Sequence, residues 1–155
     1  MDLPPDFKEL LEELARDAVE LLVVGGYAVA FHGRPRATKD IDLLLAGSRE
    51  NLDRAARAVA RFGAPEHVVT AVRSMADSEI VFLGQPPLRV DFLRSIDGVS
   101  SANLFAQSVE ANVDGVRVRV ISLAHLIANK RAAARPQDLL DADFLERVRA
   151  RRPTE

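Results

Sequence analysis

The sequence predicts a mixed α/β or α+β domain built on one central sheet. Short apolar runs stopped by glycine read as strands, and longer stretches with apolar residues at helical spacing read as helices. The two kinds alternate along the chain before it finishes in a helical pair, the order of a sheet covered by helices. With 155 residues, 48% of them apolar and 28% charged, the composition is that of an ordinary globular chain, and the length fits a single domain. We divide it into a core over 1–121 and a C-terminal helical pair over 122–155 packed on that core.

Each element has its own signal. From Asp6 to about Leu22 the spacing of Phe7, Leu10, Leu11, Leu14, Ala18 and Leu21 predicts a helix, preceded by Pro4 and Pro5 and capped by Asp6. Leu21-Leu22-Val23-Val24 is a buried strand ended by Gly25-Gly26. Tyr27 to His32 reads as a short helix closed by Gly33. Ile41 to Leu45 is a second strand, and Ser48 caps a helix running to Phe62 with Leu52, Ala55, Ala56, Val59 and Ala60 inward. Glu79–Leu83 and Leu88–Leu93 form a hairpin around Gly84-Gln85-Pro86-Pro87. Val109–Ile121 forms another around Asp114-Gly115. Helices follow over Ser122–Arg135 and from Pro136 to about Arg149.

Composition narrows the function. There is no cysteine, so disulfides and thiolate metal sites are excluded. No apolar run approaches a membrane span. The acidic start Met1-Asp2-Leu3-Pro4-Pro5-Asp6 lacks a signal-peptide core, which makes the cytoplasm the expected location. The net charge of −2 gives no global attraction to nucleic acid. Two local basic clusters, Arg34, Arg36 and Lys39 and then Arg147, Arg149, Arg151 and Arg152, are either solvated faces or phosphate contacts.

The carboxylates carry the chemistry. Alternation along a strand sends Asp40 and Asp42 to one face and Ile41 to the core. Two close carboxylates repel unless a cation lies between them, and Mg²⁺ prefers such oxygens. Alone, the pair is ordinary at a strand end. Asp91, set among Val90, Phe92 and Leu93, is a third acid, and a charge there needs a partner or a metal. An Arg89–Asp91 pairing is the plain alternative, weak because residues two apart on one strand lie far from each other. If the strands neighbour, the three acids converge into a cluster suited to two-metal phosphoryl or nucleotidyl transfer. Gly25-Gly26, between a strand and a helix, lets backbone N–H groups approach an anion.

Lys130 falls in the middle of the apolar stripe of Leu123, Leu126, Ile127 and Ala134. It either snorkels to the surface or reaches triphosphate oxygens. Asp138 suits the first turn of its helix and could orient Lys130 or an arginine. His32, His67 and His125 lack paired spacing and are not read as metal ligands.

The segments Val24-Gly25-Gly26, Asp40-Ile41-Asp42-Leu43 and Val90-Asp91-Phe92 resemble the polymerase-β-like nucleotidyltransferase superfamily. Gly25-Gly26-Tyr27-Ala28-Val29, His32-Gly33, Arg36-Ala37-Thr38-Lys39-Asp40-Ile41-Asp42-Leu43 and the Ser122 to Asp138 block resemble its AbiEii-like group, toxins of type IV toxin–antitoxin systems. The resemblance implies the nucleotidyltransferase fold and an NTP donor. It also implies Mg²⁺ (or Mn²⁺) on Asp40, Asp42 and Asp91 as metal and catalytic residues. Nucleotide contacts would come from Gly25, Gly26, Thr38, Lys130 and Asp138. Acceptors in the wider family include tRNA ends, proteins and antibiotics, and a toxin–antitoxin role brings a cognate toxin or antitoxin as partner. Gly26 replaces the Ser common elsewhere, leaving backbone donors alone at that position. Two alternatives stand beside this expectation. One is a non-catalytic module of the same fold that binds a nucleotide or partner. The other is an antitoxin-type transferase that modifies a protein, disfavoured by the thirteen residues from Tyr27 to Lys39 before the Asp pair.

Overall fold

The computed structural model describes residues 2–34 and 38–152. Its elements are α1 (Pro5–Arg16), β1 (Leu21–Val24), α2 (Gly25–Phe31), β2 (Asp40–Leu45), α3 (Arg49–Phe62), α4 (Glu66–Arg73), β3 (Val81–Gln85), β4 (Leu88–Leu93), α5 (Ser101–Ala106), β5 (Val109–Val113), β6 (Val116–Val120), α6 (Leu123–Ala133) and α7 (Pro136–Arg151). The strands form one mixed sheet in the order β3-β4-β2-β1-β6-β5. This is the mixed α/β sheet-and-helix class that the sequence predicts.

Two parallel pairings shape the sheet. β2 runs parallel to β4, in a register that sets Asp42 opposite Asp91 and Asp40 opposite Arg89. β1 runs parallel to β6. Parallel neighbours need a long crossover, and between β2 and β4 it is α3, α4 and the edge strand β3. The remaining pairs are antiparallel: β1 with β2, β3 with β4, and β5 with β6. At the turn between β5 and β6, Asp114 and Gly115 both take positive φ (52° and 83°), the conformation a two-residue hairpin demands.

β1 is buried at every position, as expected of a strand covered on both faces. β2 is buried from Leu43 to Leu45 but only half-buried at Asp40 and Asp42. The cover over one face therefore stops at the acidic end of β2.

Several boundaries differ from expectation. The first helix stops at Arg16 rather than near Leu22: Ala18 takes φ 53°, and Leu21 and Leu22 pair with Leu45 and Leu44 of β2. Strand pairing takes residues that helical periodicity had counted. Its N-cap is Pro4, with Asp6 in the first turn. α2 begins at Gly25, inside the expected glycine turn, and Arg135 caps α7 instead of ending α6. The short helices α4 and α5 are not anticipated, although Val68 and Val72 of α4 are buried at helical spacing.

Asn51 fixes α3 to the sheet. It is fully buried. Its Oδ1 accepts from Glu20 N at 2.7 Å, and its Nδ2 donates to the carbonyls of Glu20 (2.9 Å) and Ala46 (2.8 Å). Its own N–H reaches Ser48 Oγ, closing the helix cap. Asn51→Ala leaves three backbone groups without their partner and should cost about 2–4 kcal/mol of stability. The check is a urea unfolding curve, where a loss below about 0.5 kcal/mol would show that solvent replaces the side chain.

Candidate active site

The bend where β1 meets α2, the acidic end of β2, the far half of β4 and the facing ends of α6 and α7 enclose an open cleft of about 640 Å³. Asp40, Asp42 and Asp91 line it with Gly25, Asp97, Lys130, Arg135 and Asp138. The three acids thus share one face and one cleft, because the parallel register aligns Asp42 with Asp91 and strand alternation adds Asp40.

Their proximity registers in Asp42, whose pKa is pushed up to about 7. Burial is the largest cause, followed by the charge of Asp91, a hydrogen bond shared with Asp91, and the charge of Asp40; Lys130 pulls the other way. Such frustration is a mark of functional sites.

Gly25 has a steric reason to be glycine. Its φ is +68°, and a Cβ there would collide with Oδ2 of Asp42. The bend thus lets the Asp42 carboxyl lie directly against bare backbone. Gly26 and Thr38 are not among the cleft-lining residues.

Lys130 does not snorkel. It is 7% exposed, with Nζ 3.2 Å from Asp138 Oδ1 and 3.3 Å from Asp141 Oδ2. Asp138 also accepts from Arg135 Nε at 2.6 Å. The neighbouring cations hold the Asp138 carboxyl below its ordinary pKa despite its burial, through hydrogen bonds from Arg135 and Lys130. Asp138 therefore orients both a lysine and an arginine. Asp141 was not singled out from the sequence, and Arg135 figured in it only within the Ser122 to Asp138 block. The signal for Asp141 was available: a carboxylate three residues after Asp138, beside Ala142 and Leu145 on the inner face of α7.

Arg89 corrects another expectation. The Arg89–Asp91 pair does form, with Nε donating to Oδ1 at 2.7 Å and Nη2 to Oδ2 at 3.1 Å. A long guanidinium folded back along its strand spans the gap that backbone spacing alone seemed to forbid. Among the described residues no three acidic or histidine side chains stand as a ready-made metal-ligand set. The donor chemistry nevertheless suits a hard divalent ion: carboxylate oxygens only, one of them pushed toward protonation by burial and by its acidic neighbours.

The other candidates lie elsewhere. Arg34 approaches Asp141 (3.7 Å) and donates to the Leu140 carbonyl, Lys39 is exposed and outside the cleft lining, and Arg36 lies outside the described residues. The basic end of α7 is about 20 Å from Asp138 by helical rise, too far to serve the cleft. His32 is structural: its buried ring donates from Nε2 to the Ile121 carbonyl at 2.7 Å.

A family model described as nucleotidyl transferase of unknown function (DUF2204) matches residues 5–154. The chain belongs to this family. As a DUF2204 nucleotidyl transferase it is an enzyme of the nucleotide-transferring class, and the superfamily resemblance holds; the AbiEii-like subgroup gains no support from the match. No curated protein sequence matches the chain significantly. Its fold is similar to that of the antibiotic-resistance factor ANT(2'')-Ia (18% identity, TM-score 0.58, 94% of this chain and 88% of that one). It is similar as well to the lincosamide antibiotic adenylyltransferase LnuA, lincomycin-bound (15%, 0.62, 94% and 98%), and to TM1012 from Thermotoga maritima (18%, 0.57, 94% and 91%). At these identities the likeness concerns the fold. Among the described residues of this DUF2204 chain no helix is long and apolar enough to cross a membrane.

Two outcomes follow for the site. The pKa of Asp42, about 7, lies above its ordinary value of 3.8, so its ionisation opposes folding. The stability that the neutral acid contributes is full below the ordinary value and is lost as pH rises through the raised one. Asp42→Asn should therefore stabilise the metal-free protein by roughly 1–3 kcal/mol at pH 8 and by little near pH 5. Melting curves in EDTA at the two pH values check this, and equal effects at both would contradict it. Lys130→Met removes the cation shared by the buried Asp138 and Asp141, leaving Asp138 to Arg135 and Asp141 to Gln137 and Arg34, and should cost about 3 kcal/mol in denaturant unfolding. A loss no greater than that of a surface substitution would show the network to be solvated.

Proposed function

We propose that the chain transfers a nucleoside monophosphate from an NTP to a hydroxyl group of a small, neutral or cationic acceptor, using Mg²⁺ or Mn²⁺ held by Asp40, Asp42 and Asp91. The observation that carries the metal-dependent reading is the register of β2 and β4, which sets Asp42 against Asp91 beside Gly25. When bound, divalent ions would neutralise the triphosphate and the attacking oxygen. The chain's own groups do the rest. Lys130 and Arg135, fixed by Asp138, offer positive charge to the phosphates from the α6–α7 wall. Asp91, on the β3 side of the cluster, receives the proton of the acceptor hydroxyl. That oxygen bonds to the α-phosphorus as the bond to the β-phosphate oxygen breaks, and pyrophosphate leaves.

The preference for a small acceptor rests on charge. Five aspartates line the cleft against Lys130 and Arg135, and an excess of carboxylate repels a polyanion and attracts a cation. The basic end of α7 lies far from the acids, which leaves an RNA acceptor without a charged path to them. Two of the structural relatives, ANT(2'')-Ia with adenylyl-2''-tobramycin and LnuA with lincomycin, are in keeping with a small acceptor. A protein or tRNA acceptor, and with it a toxin or antitoxin role, rests on the sequence blocks around Gly25 and Lys130 alone.

The deciding assay incubates the protein with each α-labelled NTP and Mg²⁺, offering amino- and hydroxyl-bearing small molecules, total RNA, or cell protein. Label should pass to a small molecule, with matching pyrophosphate release. Asp42→Ala should lower the rate by about 10³-fold or more. Label entering RNA or protein instead would overturn the acceptor assignment, and transfer that survives Asp42→Ala would overturn the site.

A further inference from the structure

Arg89 makes contacts that nucleotide transfer does not by itself require. Its guanidinium engages both oxygens of Asp91 at 2.7 and 3.1 Å. It lies 3.5 Å from Asp40 Oδ2, and its Cζ is 4.3 Å from the centre of the Phe82 ring. Gly84 stands opposite Arg89 on β3, so no side chain there competes for the space. The fork onto one carboxylate is the strong, orienting geometry of arginine. Asp91, whose side chain is 14% exposed, therefore has both oxygens turned toward a guanidinium.

We propose that Arg89 is the resident counter-ion of the acid cluster, holding Asp91 and Asp40 in the metal-free protein, and that a divalent ion gains Asp91 only by displacing the guanidinium. The inference rests on the metal-dependent reading above and deepens it by naming the positioning residue that sets how tightly the ion binds. Arginine does not shed its charge, so Arg89 itself only changes position in the exchange and releases no proton. Phe82 supplies the second resting place. Its ring is half-exposed, lies in the cross-strand row of Asp91, and retains a cation–π contact when the carboxylate lets go.

The test is Mn²⁺ titration calorimetry on metal-stripped wild type, Arg89→Gln, Arg89→Lys and Asp42→Asn, with melting curves in EDTA and in Mn²⁺. Arg89→Gln should bind Mn²⁺ roughly three- to tenfold more tightly than wild type. It should melt lower in EDTA and gain more from added ion. Arg89→Lys, which keeps the charge but loses the fork, should fall between and serves if the Gln variant does not fold. A purely structural arginine would give weaker ion binding on removal. Weaker or unchanged affinity, with wild-type binding intact and sensitive to Asp42→Asn, overturns this proposal alone. Absence of Asp42-dependent Mn²⁺ binding in wild type and Arg89 variants alike overturns the metal-dependent reading together with it.

Discussion

Asp42 and Asp91 face each other across a parallel strand pair, and Asp40 adds a third carboxyl to the same face. Like charges held this close in a partly buried place repel, so the surroundings must either supply positive charge or leave a proton on one acid. Both responses are visible. Asp42 is driven toward its neutral form, and Arg89 is drawn onto Asp91 with Lys130 lending its field from α6. Gly25 belongs to the same constraint, since any side chain there would occupy the space of the Asp42 carboxyl.

The opposing wall rests on a second, better compensated charge network. Lys130 is buried between Asp138 and Asp141, and Asp138 is shared with Arg135. A buried ion pair of this kind contributes little net stability relative to an apolar core but is costly to break. Its effect is geometric: it joins α6 to α7 at the cleft and fixes where positive charge faces the acids. Leu126 and Ile127 of α6 and Leu145 of α7 are buried in the apolar core. The cleft thus lies between a wall short of cations and one whose cations are already anchored by carboxylates, an arrangement that admits a polyphosphate only with further positive charge.

Much of this was legible in the sequence. The glycine bend, the alternation of Asp40 and Asp42, the acid within β4 and the lysine inside an apolar stripe are local patterns, and local patterns survive translation into structure. What was not legible required knowledge of neighbours. Helical periodicity ran past Arg16 to about Leu22 because the turn at Ala18, with its positive φ, leaves no mark in it, although the strand from Leu21 was legible with its observed bounds. The low weight given to an Arg89–Asp91 pair used backbone spacing and ignored the length and curl of an arginine side chain. Asp141 could be marked by its place on the inner face of α7 but not given its partner, which lies eleven residues away on another helix, and α5 was missed because six residues give periodicity too little length. Thr38 came from family likeness alone; it lies outside the cleft lining.

A shared fold at 15–18% identity leaves open what distinguishes one transferase from another, since one fold hosts many acceptors. In this chain the distinguishing chemistry stands at the margin of the acid cluster rather than within it. Phe82 and Ile80 present exposed apolar surface on and beside the edge strand, Arg89 lies over Phe82, and Asp97 adds a carboxylate to the cleft lining. An acceptor that reaches Asp91 from the open side therefore meets an aromatic face, a guanidinium and excess negative charge. On the proposed small-acceptor reading, that combination suits a compact hydroxylated molecule with a cationic group, whose body rests on Ile80 while its charge meets the carboxylates. A polyanion approaching by the same route would meet the excess of carboxylate, with Lys130 and Arg135 already paired to Asp138.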